Sequence, residues 1–541
     1  MRILFFSAFV LLVTAVVAQD SSRKREVQVT SQFKPVLKDA AKINLNASPP
    51  TVDTTKPRLQ YNIPAQNLLL GYQPGSLKPL ALAADTTQAW EASNYIKGGY
   101  GMFNTGYFEL GASLGNGVKA GANAFVQHVS AKGDLPYQKF SNTDVTLTGF
   151  TRTGNNLQWN GKVAVTEDQW WRWGYEPKTL RIPEDSLRLR YQGFTGRIGF
   201  ENVERTGAGL SYAPEFEIST FTDQLRNREA QAYVNLPLRK TFEGKFEVDV
   251  RAEGNFIRYE RRGGRDISNN WVAIAPSFLA KTKVVDLQAG IRPAWDNGAF
   301  HLLPNILATI GTADNRFSLQ AGFVGYIRAN SFRYLTDFNP WIYTPDFSNN
   351  TIIREYFAGI KGSLTTKFNY NIRAGYNRIT NQPLFINDTS TGKGFIVLVE
   401  PTVNNINITG SMGYQVGEKF SLQSTLALNN YSGTDSAEKP WGLLPLEFRT
   451  TVRLQIIKDL YLRGDLWAFD APWYQTKSDR GRLRGGADLS AGLEFAIVKN
   501  IKLWAQFNNL LNSEYERWKQ YPVLPFNVLG GVVFSFTQKP Q

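Results

Sequence analysis

Residues 246–253, FEVDVRAE, decide the fold because apolar and charged side chains alternate along them without a break. One face is apolar and includes Phe246, Val248 and Val250. The other face carries only charged side chains, namely Glu247, Asp249, Arg251 and Glu253. A period of two is that of a β-strand, whose successive side chains point to opposite sides. This segment is therefore predicted to separate an apolar environment from a polar one.

The same period returns along the chain, for example at residues 368–374, 448–456 and 488–497. In each segment the polar side chains share one face and most apolar side chains share the other. Charged members of these polar faces are Arg373, Arg453, Asp488 and Glu494. We count about twenty-two such segments between residues 95 and 537. The pattern predicts an all-β chain.

The composition favours sheet and excludes several chemistries. Aromatic residues make up 13% of the 541 residues, beside 46 Gly and 3 Met, a mixture typical of strands. The chain has no Cys and only 2 His. Disulfides, thiolate metal sites, cysteine nucleophiles and His-rich metal centres are thereby excluded. We expect neither a metal ion nor any other cofactor.

The formal net charge of +14 would suggest nucleic acid as a partner of a cytosolic protein. Residues 1–18, however, combine a basic start, a short apolar stretch and small residues near the end, which predicts a signal peptide. A secreted chain is not expected to meet nucleic acid. The positive charge then points to anionic surfaces, such as lipid head groups or acidic partner proteins, or to ordinary solvated loops.

Residues 19–94 are polar and rich in Pro, which predicts an extended segment rather than helices or central strands. Two apolar islands interrupt it, and we expect them to dock on another part of the protein. Their leucines are Leu68, Leu69, Leu70, Leu77, Leu80 and Leu82. The segment is predicted to lie in the periplasm or inside the barrel described next.

Short and long connections alternate between the predicted strands. Tight turns are predicted at residues 312–315, 366–367, 418–419, 458–459 and 499–500. Longer connections are predicted at residues 166–186, 331–350, 431–443, 470–483 and 512–525. Short turns at one end and long loops at the other are typical of an outer-membrane barrel. We therefore predict a transmembrane antiparallel β-barrel over residues 95–537, in contact with outer-membrane lipid and followed by a short tail at 538–541.

The last predicted strand fits this interpretation in part. Val532, Phe534 and Phe536 fall on one face, as expected for a wall that meets lipid. Leu529 and Val533 lie on the opposite face and weaken the contrast.

The end of the chain resembles a known family. Residues 509–515, NLLNSEY, followed by a final strand ending in VFSF at 533–536, resemble the C-terminal end of TonB-dependent receptor barrels. Residues 33–40, FKPVLKDA, and 95–101, YIKGGYG, are similar to barrels of that superfamily from Bacteroidetes-type bacteria. The resemblance implies a 22-stranded barrel that binds ligands or takes part in transport.

The chain departs from the family ahead of the barrel. Importers of this family carry a globular plug of well over a hundred residues, whereas residues 19–94 number only 76. The departure implies a barrel without a full plug. Residues 26–30, EVQVT, resemble the family's energy-coupling segment only faintly.

Aromatic residues gather in the predicted long loops, and two explanations remain open. They form a binding surface on the extracellular side, since Trp, Tyr and Arg are enriched at binding hot spots, or the loops pack on one another as a lid. The residues concerned are Trp170, Trp171, Trp173, Tyr175, Tyr334, Trp341, Tyr343, Trp473 and Tyr474.

No residue is predicted to be catalytic. Residues 111–115, GASLG, match the G-x-S-x-G pattern of a nucleophile elbow, but an alternating segment follows Ser113 where that motif needs a helix. The charged residues of 247–253 are expected to form a mutually compensated polar lining.

The expected function is that of a plugless receptor-like barrel that binds a ligand or partner protein at the extracellular face. A fixed subunit of a multi-protein assembly, secretion or uptake machine, with lipoprotein partners in the outer membrane or at the surface, is one alternative. A transporter with borrowed energy coupling is another, and a hydrolase is the least supported.

Overall fold

The computed structural model describes residues 92–538, apart from 116, 243–245, 283, 313–315, 347–348 and 418. The signal peptide, the proline-rich segment up to residue 91 and its docking leucines, Leu68, Leu69, Leu70, Leu77, Leu80 and Leu82, lie outside the described residues.

The described chain is built from strands joined by turns and loops. The strands are β1 (Ala92–Gly101), β2 (Thr105–Gly115), β3 (Ala120–Lys132), β4 (Lys139–Thr153), β5 (Leu157–Trp171), β6 (Arg188–Asn202), β7 (Leu210–Tyr212), β8 (Glu215–Asp223), β9 (Arg228–Phe242), β10 (Phe246–Glu260), β11 (Ile267–Lys281), β12 (Val285–Asp296), β13 (Ala299–Gly311), β14 (Phe317–Arg328), β15 (Thr351–Thr365), β16 (Phe368–Asn387), β17 (Phe395–Val416), β18 (Phe420–Ser432), β19 (Leu446–Ile457), β20 (Leu460–Phe469), β21 (Trp473–Gln475), β22 (Arg480–Arg482), β23 (Gly486–Val498), β24 (Ile501–Asn508), β25 (Glu516–Trp518), β26 (Tyr521–Pro522) and β27 (Asn527–Gln538). Short helices α1 (Glu184–Leu187) and α2 (Phe332–Phe338) and a 3-10 turn (Met102–Asn104) lie in connections.

One antiparallel sheet of 23 strands forms a closed wall, and the pairs β21–β22 and β25–β26 stand apart from it as loop hairpins. Both β7 and β8 pair with β9, at Leu210↔Lys240 and Glu215↔Asn235, so together they occupy one position in the wall. The wall is thus a 22-strand barrel, as predicted. Among the described residues, no helix is long and apolar enough to cross a bilayer.

The wall closes where the first strand meets the last. β1 pairs with β27 from Ala92↔Gln538 to Gly101↔Leu529. Glycines make this seam tight, because a Cβ on Gly531 would lie 1.9 Å from the carbonyl oxygen of Gly98. Closure leaves no strand edge unpaired, which a wall in hydrocarbon requires.

The alternation seen in the sequence corresponds to the two sides of this wall. In β10, Phe246 and Val250 are 39% and 37% exposed on the exterior, whereas Glu247 and Asp249 are buried on the interior. Apolar side chains exposed in this way form the exterior that lipid covers.

The structure explains why the two faces of the last strand differ little in polarity. Val532, Phe534 and Phe536 are exposed on the exterior, as predicted. Leu529 and Val533 are buried on the interior, in a small apolar cluster with Tyr95, Tyr107 and Trp504. The apolar side chains on this face thus pack on one another instead of facing lipid.

Most long connections share one end of the barrel, which we call the loop end, and most tight turns share the other, the turn end. The loop end carries residues 172–187, 329–350, 388–394, 433–445, 470–485 and 509–526. The connection predicted to begin at residue 166 begins after Trp171, because β5 continues to pair with β6 up to Trp171↔Arg188. Strands β16 and β17 extend further than predicted and carry Phe385 and Phe395 into the loop end.

The depth of an exterior residue in the bilayer determines how much an introduced charge lowers the free energy of unfolding. Ile274→Arg, at the middle of β11 on the exterior, should lower the free energy of unfolding by about 2–4 kcal/mol because it places a charge at mid-bilayer. Leu302→Arg, on the exterior near the loop end of β13, should cost no more than about 1 kcal/mol. Urea unfolding in liposomes measures both values. Equal losses for the two variants would contradict the assigned position of the bilayer.

Candidate functional site

The connections of the loop end meet in one buried aromatic cluster, which we call the lid. Trp341, in the connection that carries α2, is fully buried at its centre. Its ring stacks on Tyr521 with centroids 4.0 Å apart and meets Trp170 edge-on at 5.8 Å. Its indole Nε1 donates a hydrogen bond of 3.0 Å to the carbonyl oxygen of Trp171. This residue therefore joins β5, the α2 connection and the last loop.

A second group of rings extends the lid toward β16 and β17. Trp518 lies within 5.6 Å, centroid to centroid, of the rings of Phe338, Phe385 and Phe395. Aromatic pairs at such separations are worth about 0.5–1.5 kcal/mol each beyond the area that they bury. The extended β16–β17 hairpin is thus held against the loop that precedes β27.

Hydrogen bonds between different loops supplement the ring contacts. Arg172 Nη2 donates to the carbonyl oxygen of Ile342 at 2.7 Å, and Tyr521 Oη donates to that of Lys393 at 2.5 Å. The backbone N–H of Glu176 donates to the carbonyl oxygen of Thr391 at 2.8 Å. Because each bond crosses from one connection to another, the loops form a single covering over the loop end.

The structure separates the predicted aromatic residues into two groups. Five are buried in the lid, where packing between loops, one of the two explanations left open, describes them: Trp170, Trp171, Trp173, Tyr175 and Trp341. Four are half-buried and retain an accessible edge: Tyr334, Tyr343, Trp473 and Tyr474. The buried group could not stay exposed because large rings on adjacent loops gain more by covering one another than by facing water.

The half-buried Trp473 and Tyr474 lie in β21 and are surrounded by cations. Lys439 and Arg482 lie 5.0 and 5.8 Å from the Trp473 ring, and Lys519 lies 4.8 Å from the Tyr474 ring. These distances are those of cation–π contacts. The β21–β22 hairpin thus presents an aromatic and basic surface at the loop end. Sequence reasoning missed its three cations, because they come from three separate connections.

Two further lid residues, Trp518 and Tyr521, were also missed by sequence reasoning, although both lie in the predicted loop 512–525. The signal was available, since residues 515–521, YERWKQY, hold three rings in seven positions.

The charged side chains of β10 that were predicted to form a polar lining are buried or half-buried, and they are paired with other charges. Arg239 Nη2 lies 3.3 Å from Asp249 Oδ1, and its Nε lies 3.7 Å from Glu247 Oε2. Glu253 pairs with Arg292 and lies 3.9 Å from Arg251 Nη1. These carboxylates are paired with cations, so removal of one partner would leave a buried charge uncompensated.

The other predicted interior charges lie in separate places along the wall. Arg373 Nη2 lies 2.5 Å from Glu355 Oε2, and Asp488 accepts a hydrogen bond from Tyr515 Oη at 3.1 Å. Arg453 and Glu494 lie together near the turn end, where they line one cavity.

Ser113 is a strand residue. It is buried in β2, and its Oγ donates to Asn123 Oδ1 at 2.7 Å. The segment that follows is β3 rather than the helix that a nucleophile elbow requires. In the described part of the chain, no three His, Cys, Asp or Glu side chains are grouped so as to hold a metal ion.

Asp388 connects the loop between β16 and β17 to the lid. Its carboxylate accepts hydrogen bonds from the backbone N–H groups of Ser390, Thr391 and Gly394, and from Tyr343 Oη at 3.2 Å. Burial raises the pKa of this carboxyl, but the hydrogen bonds, first among them that from Ser390 Oγ, outweigh burial and lower the pKa to about 2.

The chain matches no protein-family model and no curated protein. It is similar in fold to solved outer-membrane proteins. The FrpB iron transporter from Neisseria meningitidis has a TM-score of 0.62 at 9% identity, over 82% of this chain and 81% of that one. The siderophore receptor PiuA from Acinetobacter baumannii has a TM-score of 0.60 at 9% identity, over 82% of both chains. P. aeruginosa FpvA bound to heterologous pyoverdines has a TM-score of 0.60 at 10% identity, over 82% of this chain and 72% of that one.

These neighbours share the fold of this chain at TM-scores of 0.60 to 0.62, so the barrel fold that the resemblance implied is confirmed. The chain is an outer-membrane β-barrel.

Asp388 should make the lid sensitive to strong acid. A carboxyl whose pKa is lowered on folding stabilises the fold above its unfolded pKa, near 3.8, and this stabilisation is lost as the pH falls toward 2. Tryptophan emission of the wild type should therefore shift to the red between pH 4 and pH 2. Asp388→Asn should start from a looser lid and show a much smaller shift, whereas the exposed control Asp346→Asn should follow the wild type. A wild-type-like shift in Asp388→Asn would refute the assignment.

Proposed function

We propose that this outer-membrane barrel is a receptor that binds a ligand or a partner protein at the cell surface, with the lid covering its lumen. The single observation that carries the proposal is the lid itself, whose buried rings close the loop end while its outer surface keeps accessible aromatic and basic groups. A channel for free diffusion would need an open mouth in place of fully buried Trp341.

The β21–β22 hairpin is the best candidate for the contact surface. Trp473 and Tyr474 are accessible at their edges, and cations surround both rings. Such a surface favours ligands that combine an apolar or planar part with negative charge. Solved neighbours include a siderophore receptor and a receptor bound to pyoverdines, which supports ligand capture as the activity of this barrel type.

Passage of a ligand through the barrel would require the lid to open. Opening must separate Trp341 from Tyr521 and break the hydrogen bonds that Arg172 and Tyr521 make to other loops. Replacing a buried Trp with Ala typically costs about 3–5 kcal/mol, which indicates how strongly one such ring holds the closed state. In our proposal the closed lid is the resting state of a receptor-like barrel without a full plug.

Two alternatives lead to different observations. A fixed subunit of an outer-membrane assembly would purify in gentle detergent with stoichiometric partners, such as surface lipoproteins, and its loop end would be covered by them. A transporter with borrowed energy coupling would make growth depend on one nutrient. The accessible rings of the hairpin favour the receptor over the first alternative.

The closed lid predicts low conductance. The full chain in planar bilayers should stay closed, and Trp341→Ala should give frequent openings because the loops lose their central contact. Trp159→Ala is the matched control, since this ring lies on the exterior, and it should behave as the wild type. Large, steady channels from the wild type, unchanged when residues 19–91 are deleted, would rule out a covered lumen.

Orientation can be tested with single cysteines because the chain has none of its own. A membrane-impermeant maleimide applied to intact cells should label Ser478→Cys, in the β21–β22 hairpin, since the loop end faces outward. Lys458→Cys, at a tight turn of the turn end, should react only after the outer membrane is permeabilised. The reverse pattern would place the hairpin in the periplasm and exclude surface binding.

A further inference from the structure

The inner wall near the turn end lines a partly open cavity that the receptor proposal does not use. It has a volume of about 280 Å³ and is lined by β1, β18, β19, β20, β23 and β24. This is several times the ~30 Å³ that one water molecule occupies in the liquid. The cavity therefore has room for a small hydrated or polyatomic ligand.

Cations outnumber carboxylates around this cavity. Lys97 Nζ lies 3.3 Å from Glu494 Oε1 and 4.5 Å from the centroid of the Trp504 ring. Arg453 and Lys502 also interact electrostatically with Glu494. Three positive side chains thus share one carboxylate at the centre of the group.

Lys502 is buried beside the residues that line the cavity, and it is the one of these three cations without a hydrogen-bonding partner among the described residues. It is only 2% exposed, and no described group lies within hydrogen-bonding distance of its Nζ. It follows the same face of β24 as Trp504, two residues away, and it interacts electrostatically with Glu494, Arg453 and Lys97. Burying an ammonium group without an acceptor is unfavourable.

The neighbouring carboxylates do not neutralise the excess positive charge near the cavity. Glu109, on the far side of Lys97, accepts hydrogen bonds from the hydroxyl groups of Tyr95 and Tyr107. Asp465 Oδ2 lies 3.1 Å from Arg463 Nε, so this carboxylate already has a cation of its own. Even with Glu109 counted beside Glu494, the three cations Lys97, Arg453 and Lys502 leave one positive charge in excess.

We propose that this cavity is a binding site for a small oxyanion, a carboxylate or phosphate group, held by Lys97 and Arg453, which line it, with the buried charge of Lys502 beside them. Each of these side chains presents only donors, and such donors form strong, charge-assisted hydrogen bonds to an oxyanion. Arg453 is oriented by its stacking on Tyr461, 5.0 Å from the ring centroid, and Trp504 forms a neighbouring wall. The anion would supply the missing negative charge inside the wall.

Binding at this site should stabilise the folded barrel. A ligand that binds only the folded state raises its stability in proportion to the logarithm of its concentration above Kd. The site lies at the turn end, remote from the lid, so it is independent of surface binding.

The test uses the full chain, purified in detergent without oxyanion buffers. Inorganic phosphate and acetate are titrated separately by calorimetry, and thermal unfolding is followed at constant ionic strength with chloride as the reference salt. We expect saturable binding of one anion per chain and a rise in Tm that chloride does not produce. Lys502→Gln should weaken binding at least tenfold. Phosphate binding without acetate binding would assign the site to phosphate groups, and the reverse to carboxylates.

Two control variants separate this site from structural effects and from the lid. Lys162→Gln removes a lysine of the inner wall of β5, which interacts with Arg197 and Glu217 instead, and should bind the anion as the wild type does. Trp341→Ala alters only the lid and should also bind normally, whatever its effect on conductance or surface binding.

The stability of Lys502→Gln is a second measurement, because the substitution removes a buried positive charge that lacks a hydrogen-bonding partner. Without anion the variant should be at least as stable as the wild type. A marked loss of stability would show that Lys502 serves as a structural partner of Glu494, and would overturn the proposal. Failure of both anions to bind saturably, or wild-type affinity in Lys502→Gln, would overturn it as well.

Discussion

The structure depends on one constraint, which is that backbone N–H and C=O groups in hydrocarbon must bond to one another. Each strand has hydrogen-bonding groups along two edges. Every strand has a partner on both edges only when the last strand of the sheet pairs with the first. Pairing of β1 with β27 meets this requirement. The alternation of side chains then follows from the wall, because each strand faces lipid on one side and the interior on the other.

Interior side chains are arranged differently in three parts of the barrel. Around β10 the charges are paired between neighbouring strands, as Arg239 is with Asp249. At the loop end the interior is closed by rings, with Trp341 at the centre. Near the turn end, Lys502 is buried with no hydrogen-bonding partner among the described residues. In the first two arrangements the side chains have partners within the protein. In the third, our proposal is that a bound oxyanion supplies the missing partner.

Local pattern was enough to predict the barrel but not the arrangement of its loops. The period of two in residues 246–253 depends only on the strand and its two environments, so the exposed Val250 and the buried Asp249 follow directly. The partners of Trp341 come from residues 170 and 521, and no local pattern brings these together. The same reason explains why Lys97 and Lys502 were missed. Their meeting with Glu494 results from closure between distant strands, and each looks like an ordinary inward side chain by itself.

The glycine seam also has a consequence for biogenesis. It pairs β1 with β27, beginning with Ala92↔Gln538, so the strand pair of highest sequence separation is also the one that completes the wall. The entropy of closing so long a loop must be overcome before the last hydrogen bonds form. Until β27 pairs with it, β1 has an edge of unpaired N–H and C=O groups that can pair with another chain. A chain truncated before β27 would keep the edge of β1 unpaired, and it is expected to aggregate rather than insert.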